Sequence, residues 1–91
     1  MTKRQKRLDR IRQNPNSVSL NDLQRVLEDY GFTHEHTVGS HYTFSILIKG
    51  RTHLLVVPFR RPVKPIYVKK ALRLIAAVIE ARGDENDAEE S

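Results

Sequence analysis

Apolar residues recur every three or four positions in two segments of the chain, which is the spacing of one face of an α-helix. The first segment follows Ser19, whose hydroxyl can cap a helix, and it ends at Gly31. The second follows Pro65, covers about residues 66–82 and ends at Gly83. Each segment therefore predicts a helix that packs one face on the core. The first stripe comprises Leu20, Leu23, Val26, Leu27 and Tyr30, and the second comprises Val68, Ala71, Leu72, Ile75, Ala76 and Ile79.

Between these segments the spacing changes to alternation, which is typical of β-strands. Residues 32–38, 41–48 and 52–57 predict three strands. A two-residue turn, Lys49-Gly50, joins the last two strands into an antiparallel hairpin. In the middle strand the side chains that need a cover are Tyr42, Phe44, Ile46 and Ile48, and those on the other face are His41, Thr43 and Ser45.

A strongly basic stretch precedes these elements. Residues 3–13 carry only Leu8 and Ile11 as apolar side chains, so they predict a short helix that is docked weakly. The chain therefore divides into parts of different composition. We expect a basic N-terminal extension at residues 1–16, a folded domain at residues 17–82 and a disordered acidic tail at residues 83–91.

The order of predicted elements is a short helix, a long helix, three strands and a second long helix. The simplest way to cover the apolar face of the sheet is to pack both long helices on it. The result is an α+β fold, α-β-β-β-α with a three-stranded antiparallel sheet, and it resembles a double-stranded-RNA-binding domain with a short basic helix in front. The opposite face of the sheet stays open, and His41 is expected to project from it.

The charge is distributed unevenly along the chain. Sixteen Lys and Arg against eleven Asp and Glu give a net charge of +5. Five of the acids lie in the last eight residues, so residues 1–82 carry sixteen basic side chains against six acidic ones. Such a basic domain favours a polyanionic partner, because each phosphate that is neutralised releases condensed counterions. We expect nucleic acid rather than a cationic surface that is only solvated.

Composition excludes several classes of function. The sequence has no cysteine, which excludes disulfides, thiol chemistry and thiolate zinc sites. No apolar run approaches the roughly 20 residues of a membrane-spanning helix. The basic start is not followed by the apolar segment of a signal peptide. The expectation is a soluble cytoplasmic protein that does not bind a membrane.

Metal and triad chemistry have little support in the remaining residues. His34 and His36 share one strand face, with Glu35 pointing away, and they offer two metal ligands rather than three. Ser40 and His41 are neighbours, but neighbours on a strand point to opposite faces and cannot share a proton. The four glycines are isolated, so they do not form a phosphate-binding loop. We therefore expect no metal and no cofactor.

The strongest candidate for chemistry is the run Gly39, Ser40 and His41 at the start of the middle strand. Glycine lets the backbone approach a ligand closely, and serine offers a hydroxyl to a phosphate. Histidine can take and give a proton at cellular pH. In the hairpin register His41 lies opposite Pro58, so the basic loop that follows Pro58 starts beside it. This combination suits RNA cleavage, in which a base removes the 2′-hydroxyl proton and cations stabilise the phosphorane. The candidate phosphate ligands of that loop are Arg60, Arg61 and Lys64.

Residues 20–79 resemble the HicA family, the toxins of prokaryotic HicA–HicB toxin–antitoxin pairs. The matching pieces, in the family's order and spacing, are the Leu-rich helix ending in Tyr30-Gly31-Phe32, then Gly39-Ser40-His41, Leu55-Val56-Val57-Pro58 and Val63-Lys64-Pro65. The resemblance implies a messenger-RNA interferase, an endoribonuclease with a catalytic histidine that maps to His41, and a HicB-type antitoxin that blocks its active site. The loop Arg60-Arg61-Pro62 departs from the glycine-rich turn of many members, so the roles of its cations rest on this sequence alone.

Other interpretations stay open. A non-catalytic RNA-binding module of the same fold would recognise phosphates and 2′-hydroxyls and would tolerate His41→Ala. An interaction protein would use the positive face only for an acidic protein partner. The second proton-transfer group is also open, because His53 falls on the face of Ile46, which would bury it away from His41. The acidic tail is interpreted as a solubilising end rather than as a phosphate mimic that competes for the basic face.

Overall fold

The computed structural model describes residues 2–83, and its elements follow the predicted order. The α+β prediction is confirmed: one three-stranded antiparallel sheet carries the two long helices on one face. The predicted acidic tail lies outside the described residues from residue 84 onward. The elements are α1 (Lys3–Gln13), α2 (Leu20–Asp29), β1 (Thr33–Val38), β2 (His41–Ile48), β3 (Arg51–Pro58) and α3 (Pro65–Arg82).

The sheet has the strand order β1-β2-β3, so each hairpin pairs neighbours in the chain. The register of β2 and β3 is the predicted one, with His41 opposite Pro58 and Ile46 opposite His53. On the side that α2 and α3 cover, the sheet contributes buried side chains to a single core. We call the other side the open face, and there Leu47 and Leu54 are exposed. The buried sheet residues are Phe44, Ile46, Ile48, Leu55 and Val57.

The apolar stripe of α3 differs from the prediction at two positions. Val68, Ala71 and Ile75 are buried as predicted, but Ala76 is exposed and Val78 is buried instead. The buried positions repeat at three, four and three residues, which keeps them on one line along a helix. The helix also begins at Pro65, one residue earlier than predicted, because proline is well suited to the first helical position.

α1 is packed more firmly than the sequence predicts. Leu8 and Ile11 are only 2% and 3% exposed and belong to the same core as α2. Arg7 donates two hydrogen bonds to the Asp29 carboxylate, at 2.7 and 2.8 Å. This hydrogen bonding raises the pKa of Arg7 above its ordinary value. Arg4 also donates to the backbone oxygen of Asp29. The prediction of weak docking is therefore wrong, and two basic side chains of α1 hold it in place.

Gly31 ends α2 with a φ of +96°, which an L side chain rarely adopts. A Cβ atom there would lie 2.6 Å from Nη2 of Arg82. We expect Gly31→Ala to lower the free energy of unfolding by about 2 kcal/mol, because left-handed backbone costs an L residue about 1–2 kcal/mol and Arg82 must also move. Denaturant unfolding measures this loss. Gly50→Ala is the matched control, since its φ is +77° but a Cβ there meets nothing within 4 Å. Equal losses of unfolding free energy in the two variants would show that the contact between the new Cβ atom and Arg82 contributes nothing.

Candidate functional site

The predicted run at the start of β2 forms the end of a hairpin. Gly39 and Ser40 are the two-residue turn between β1 and β2, and Val38 pairs with His41 across it. Gly39 has a φ of +59°, and a Cβ there would meet nothing within 4 Å. Gly39, Ser40 and His41 are all exposed. The turn is therefore accessible to a ligand from several directions.

His41 lies on the open face, as predicted. Its register neighbours are Val38 on β1 and Pro58 on β3. Among the described residues, none hydrogen-bonds to its imidazole. An exposed imidazole without a protein partner keeps both ring nitrogens available for substrate.

A β-bulge in β1 leaves only one histidine of that strand on the same face as His41. His34 pairs with Phe44 and His36 pairs with Thr43, because the register shifts between them. His34 therefore lies on the helix side, and His36 lies on the open face with His41. The prediction that His34 and His36 share a face is wrong, since the bulge inserts Glu35 and breaks the alternation.

His36 and His41 are diagonal neighbours on the open face. His36 pairs with Thr43, and His41 is two residues before Thr43 on the same strand. Diagonal positions of an antiparallel pair are about 7–8 Å apart, so long side chains can reach a group held between them. Both histidines are exposed. Glu35, the residue before His36, accepts a hydrogen bond from the Ser45 hydroxyl. The structure thus supplies a second titratable group beside His41 that sequence reasoning missed.

Backbone hydrogen bonds fix both ends of the basic loop between β3 and α3. The Phe59 N–H donates to the Ser40 carbonyl oxygen at 2.6 Å. The Val63 N–H donates to the Val18 carbonyl oxygen at 2.9 Å. Arg60 follows directly on the residue bonded to Ser40 and is exposed. Of the three loop cations, Arg60 is therefore the one nearest in the chain to the contact with the hairpin turn.

The other two predicted phosphate ligands lie farther along this loop. The Arg61 guanidinium stands 5.5 Å from the centroid of the Phe59 ring. Lys64 comes after the second anchor and precedes the first residue of α3 as its cap. Within residues 2–83, none of these cations has an acidic partner. The structure therefore leaves Arg60, Arg61 and Lys64 exposed to bind an anion, with Lys64 set in the helix layer.

A cleft of about 580 Å³ opens on the helix side of the same hairpin end. The start of α2, the Tyr42 ring and the loop residues Phe59 and Arg61 form its walls. Tyr42 packs on the core as predicted, but it is only half-buried, and its ring also faces this cleft. Sequence reasoning missed Phe59, although an aromatic residue directly before two arginines is a pattern of nucleic-acid binding.

The two remaining histidines lie away from His41. His34 stacks on Tyr42, with ring centroids 5.5 Å apart, and its Nε2 is 2.8 Å from Oγ1 of Thr37. His53 is half-buried on the helix side, as its place opposite Ile46 predicts. Neither histidine can join the pair on the open face.

Neither a metal-binding cluster nor a membrane-spanning helix is found in the described part of the chain. Residues 2–83 do not group three His, Asp or Glu side chains as a metal ion would need. In the same range, no helix is both long and apolar enough to cross a membrane.

Comparison with family models, with curated proteins and with solved structures returns no match for this chain. The resemblance to the HicA family therefore stays a prediction.

Proposed function

We propose that this protein is an endoribonuclease that cleaves messenger RNA without a metal ion and acts as the toxin of a type II toxin–antitoxin pair of the HicA–HicB kind. The observation that carries this proposal is the pair His36 and His41, exposed together on the open face. The unpaired cations of the adjoining loop support it, because they can hold the phosphate on which two imidazoles would act.

The reaction needs one group that removes a proton and one that supplies it. His41 takes the proton of the ribose 2′-hydroxyl, and the freed oxygen attacks the adjacent phosphorus. The bond from phosphorus to the 5′-oxygen breaks, and protonated His36 gives its proton to that leaving oxygen. The products are a 2′,3′-cyclic phosphate and a 5′-hydroxyl end. Arg60 and the Ser40 hydroxyl stabilise the charge that develops on the phosphorane oxygens.

The loop cations set how binding depends on salt. Each phosphate contact of a single strand contributes about 0.7 to the slope of log affinity against log salt concentration. We expect Arg60→Ala to reduce that slope by about 0.7 and to weaken binding of unrelated RNA sequences equally. Fluorescence anisotropy with labelled single-stranded RNA at several salt concentrations measures this. Arg73→Ala, which removes an exposed cation of α3 in the helix layer, is the control and is expected to leave the slope unchanged. The same slope in both variants would show that Arg60 does not contact phosphate.

The proposed protein partner is a HicB-type antitoxin that covers His41. The open face supports such a partner, because it exposes large apolar side chains beside the two histidines and farther along the sheet. Val38, opposite His41, is 67% exposed, and Leu54, farther along the same face on β3, is 65% exposed. A protein that buried these side chains would also close access to His41.

Incubation of purified protein with end-labelled messenger RNA in EDTA tests the proposal. We expect fragments that carry a 2′,3′-cyclic phosphate and a 5′-hydroxyl. RNA that is retarded in a gel but not cut would support the non-catalytic binding module instead. Protein that neither binds nor cuts RNA would favour an acidic protein as the partner.

A further inference from the structure

The cleft on the helix side has the size and chemistry of a binding site for a planar ligand. Its volume of about 580 Å³ falls within the range of roughly 300–1,000 Å³ that small-ligand pockets occupy. It lies beside the hairpin turn but on the other side of the sheet from the histidine pair. Its lining includes Ser17, Asn21, Gln24, Tyr42, Phe59 and Arg61.

Aromatic and guanidinium planes form one wall of the cleft. Phe59 is 41% exposed, although its N–H is held by Ser40, so its backbone is fixed while its ring stays accessible. The Arg61 guanidinium lies over that ring. The Tyr42 ring stacks on His34. Such planes bind nucleobases by stacking, and they do so in single strands, where the bases are free.

Neutral polar groups line another part of the cleft. Asn21 and Gln24 are three residues apart on α2, so their amides point from one side of the helix. The Gln24 amide nitrogen donates to Glu28 at 3.1 Å, which leaves the Gln24 carbonyl oxygen to accept from a ligand. Asn21 and the Ser17 hydroxyl each offer a donor and an acceptor. These groups match the mixed donors and acceptors of a base edge.

The cleft is joined to the histidine pair through the hairpin. Tyr42 directly follows His41 in β2 and points to the other side. Phe59 is bonded to Ser40, the residue before His41. A strand that passes the end of the sheet can therefore place a phosphate at His41 and the next base in the cleft.

We propose that this cleft binds one unpaired nucleobase of the RNA, next to the phosphate that His41 attacks. The inference rests on the proposed nuclease function and adds to it the selection of single-stranded RNA. A base that is paired in a duplex cannot leave its stack to enter the cleft without the energy of unpairing. The cleft therefore favours loops and unfolded segments as sites of cleavage.

Binding of a 12-nucleotide unstructured RNA tests this inference without measuring cleavage. Every protein in the assay carries His41→Ala, so that the RNA stays intact, and 2-aminopurine replaces one base at a time. We expect quenched fluorescence at one position, which reports stacking. Adding Phe59→Ala is expected to weaken binding about tenfold and to remove the quenching. Because Phe59 is exposed, this change leaves the core intact.

Two comparisons make the result specific. Ile66→Ala removes a side chain that is 57% exposed, near the same loop but outside the cleft, and it is expected to bind RNA like its parent. An abasic nucleotide at the quenched position is expected to weaken the parent about tenfold and the Phe59→Ala protein hardly at all. Unchanged affinity on Phe59→Ala, or an equal loss on Ile66→Ala, would overturn the inference. Cleavage by the wild-type protein is measured separately, so a nuclease without a base pocket and a pocket without nuclease activity give different results.

Discussion

His41→Ala is expected to lower the rate of RNA cleavage by at least about 100-fold, because proton transfer by a positioned side chain contributes roughly 10²–10⁴-fold. The side chain is exposed and has no hydrogen-bond partner among the described residues, so its removal leaves the fold unchanged. Single-turnover cleavage of labelled messenger RNA measures the loss. Thermal unfolding of the same samples shows that the variant is folded.

A His36 variant adds a second test, because the proposed reaction uses two imidazoles. His36→Ala is expected to slow cleavage to a similar extent, and the double variant is expected to be hardly slower than either single one, since groups that act as a unit are not additive. His53→Ala is the matched control, as it removes a histidine from the other side of the sheet and is expected to retain cleavage. Wild-type activity in His36→Ala would show that His41 works with another proton donor. Wild-type activity in His41→Ala would falsify the nuclease mechanism itself.

The fold could be predicted because its signals are local. Helical spacing, alternation and the Lys49-Gly50 turn each depend on a few consecutive residues, and the turn alone determines that His41 faces Pro58. The position of α1 could not be predicted in the same way. Its contact with α2 depends on Arg7 and Asp29, which are 22 residues apart, and no periodicity links them.

The candidate site was predictable only in part, for the same reason. His41 follows from the alternation of β2 and from the turn before it. His36 follows as well, because the two-residue turn Gly39-Ser40 pairs Val38 with His41 and alternation then places His36 on the same face. The position of His34 does not follow, because the β-bulge at Glu35 turns it to the helix side. The cleft also could not be predicted from the sequence, because the path of its loop depends on hydrogen bonds from Phe59 and Val63 to residues far away in the chain.

Leu8→Ala is expected to lower the free energy of unfolding by about 3 kcal/mol, which is typical of a leucine removed from a packed core. Leu8 is almost fully buried against the core that α2 shares. In a domain of this size each kcal/mol lowers the melting temperature by about 4–8 °C, so we expect a fall of about 12–24 °C. Thermal unfolding followed by circular dichroism measures it.

Lys6→Ala is the matched control on the same helix, because Lys6 is exposed. A surface change of this kind is expected to alter stability by no more than about 0.5 kcal/mol. The comparison separates two views of the basic N-terminal segment. If α1 were an accessory that only attracts RNA, the loss of Lys6 would weaken RNA binding and the loss of Leu8 would hardly change stability. The buried leucine and the paired Arg7 instead make α1 a part of the folded domain, so its charge reaches RNA only through the side chains that are left exposed.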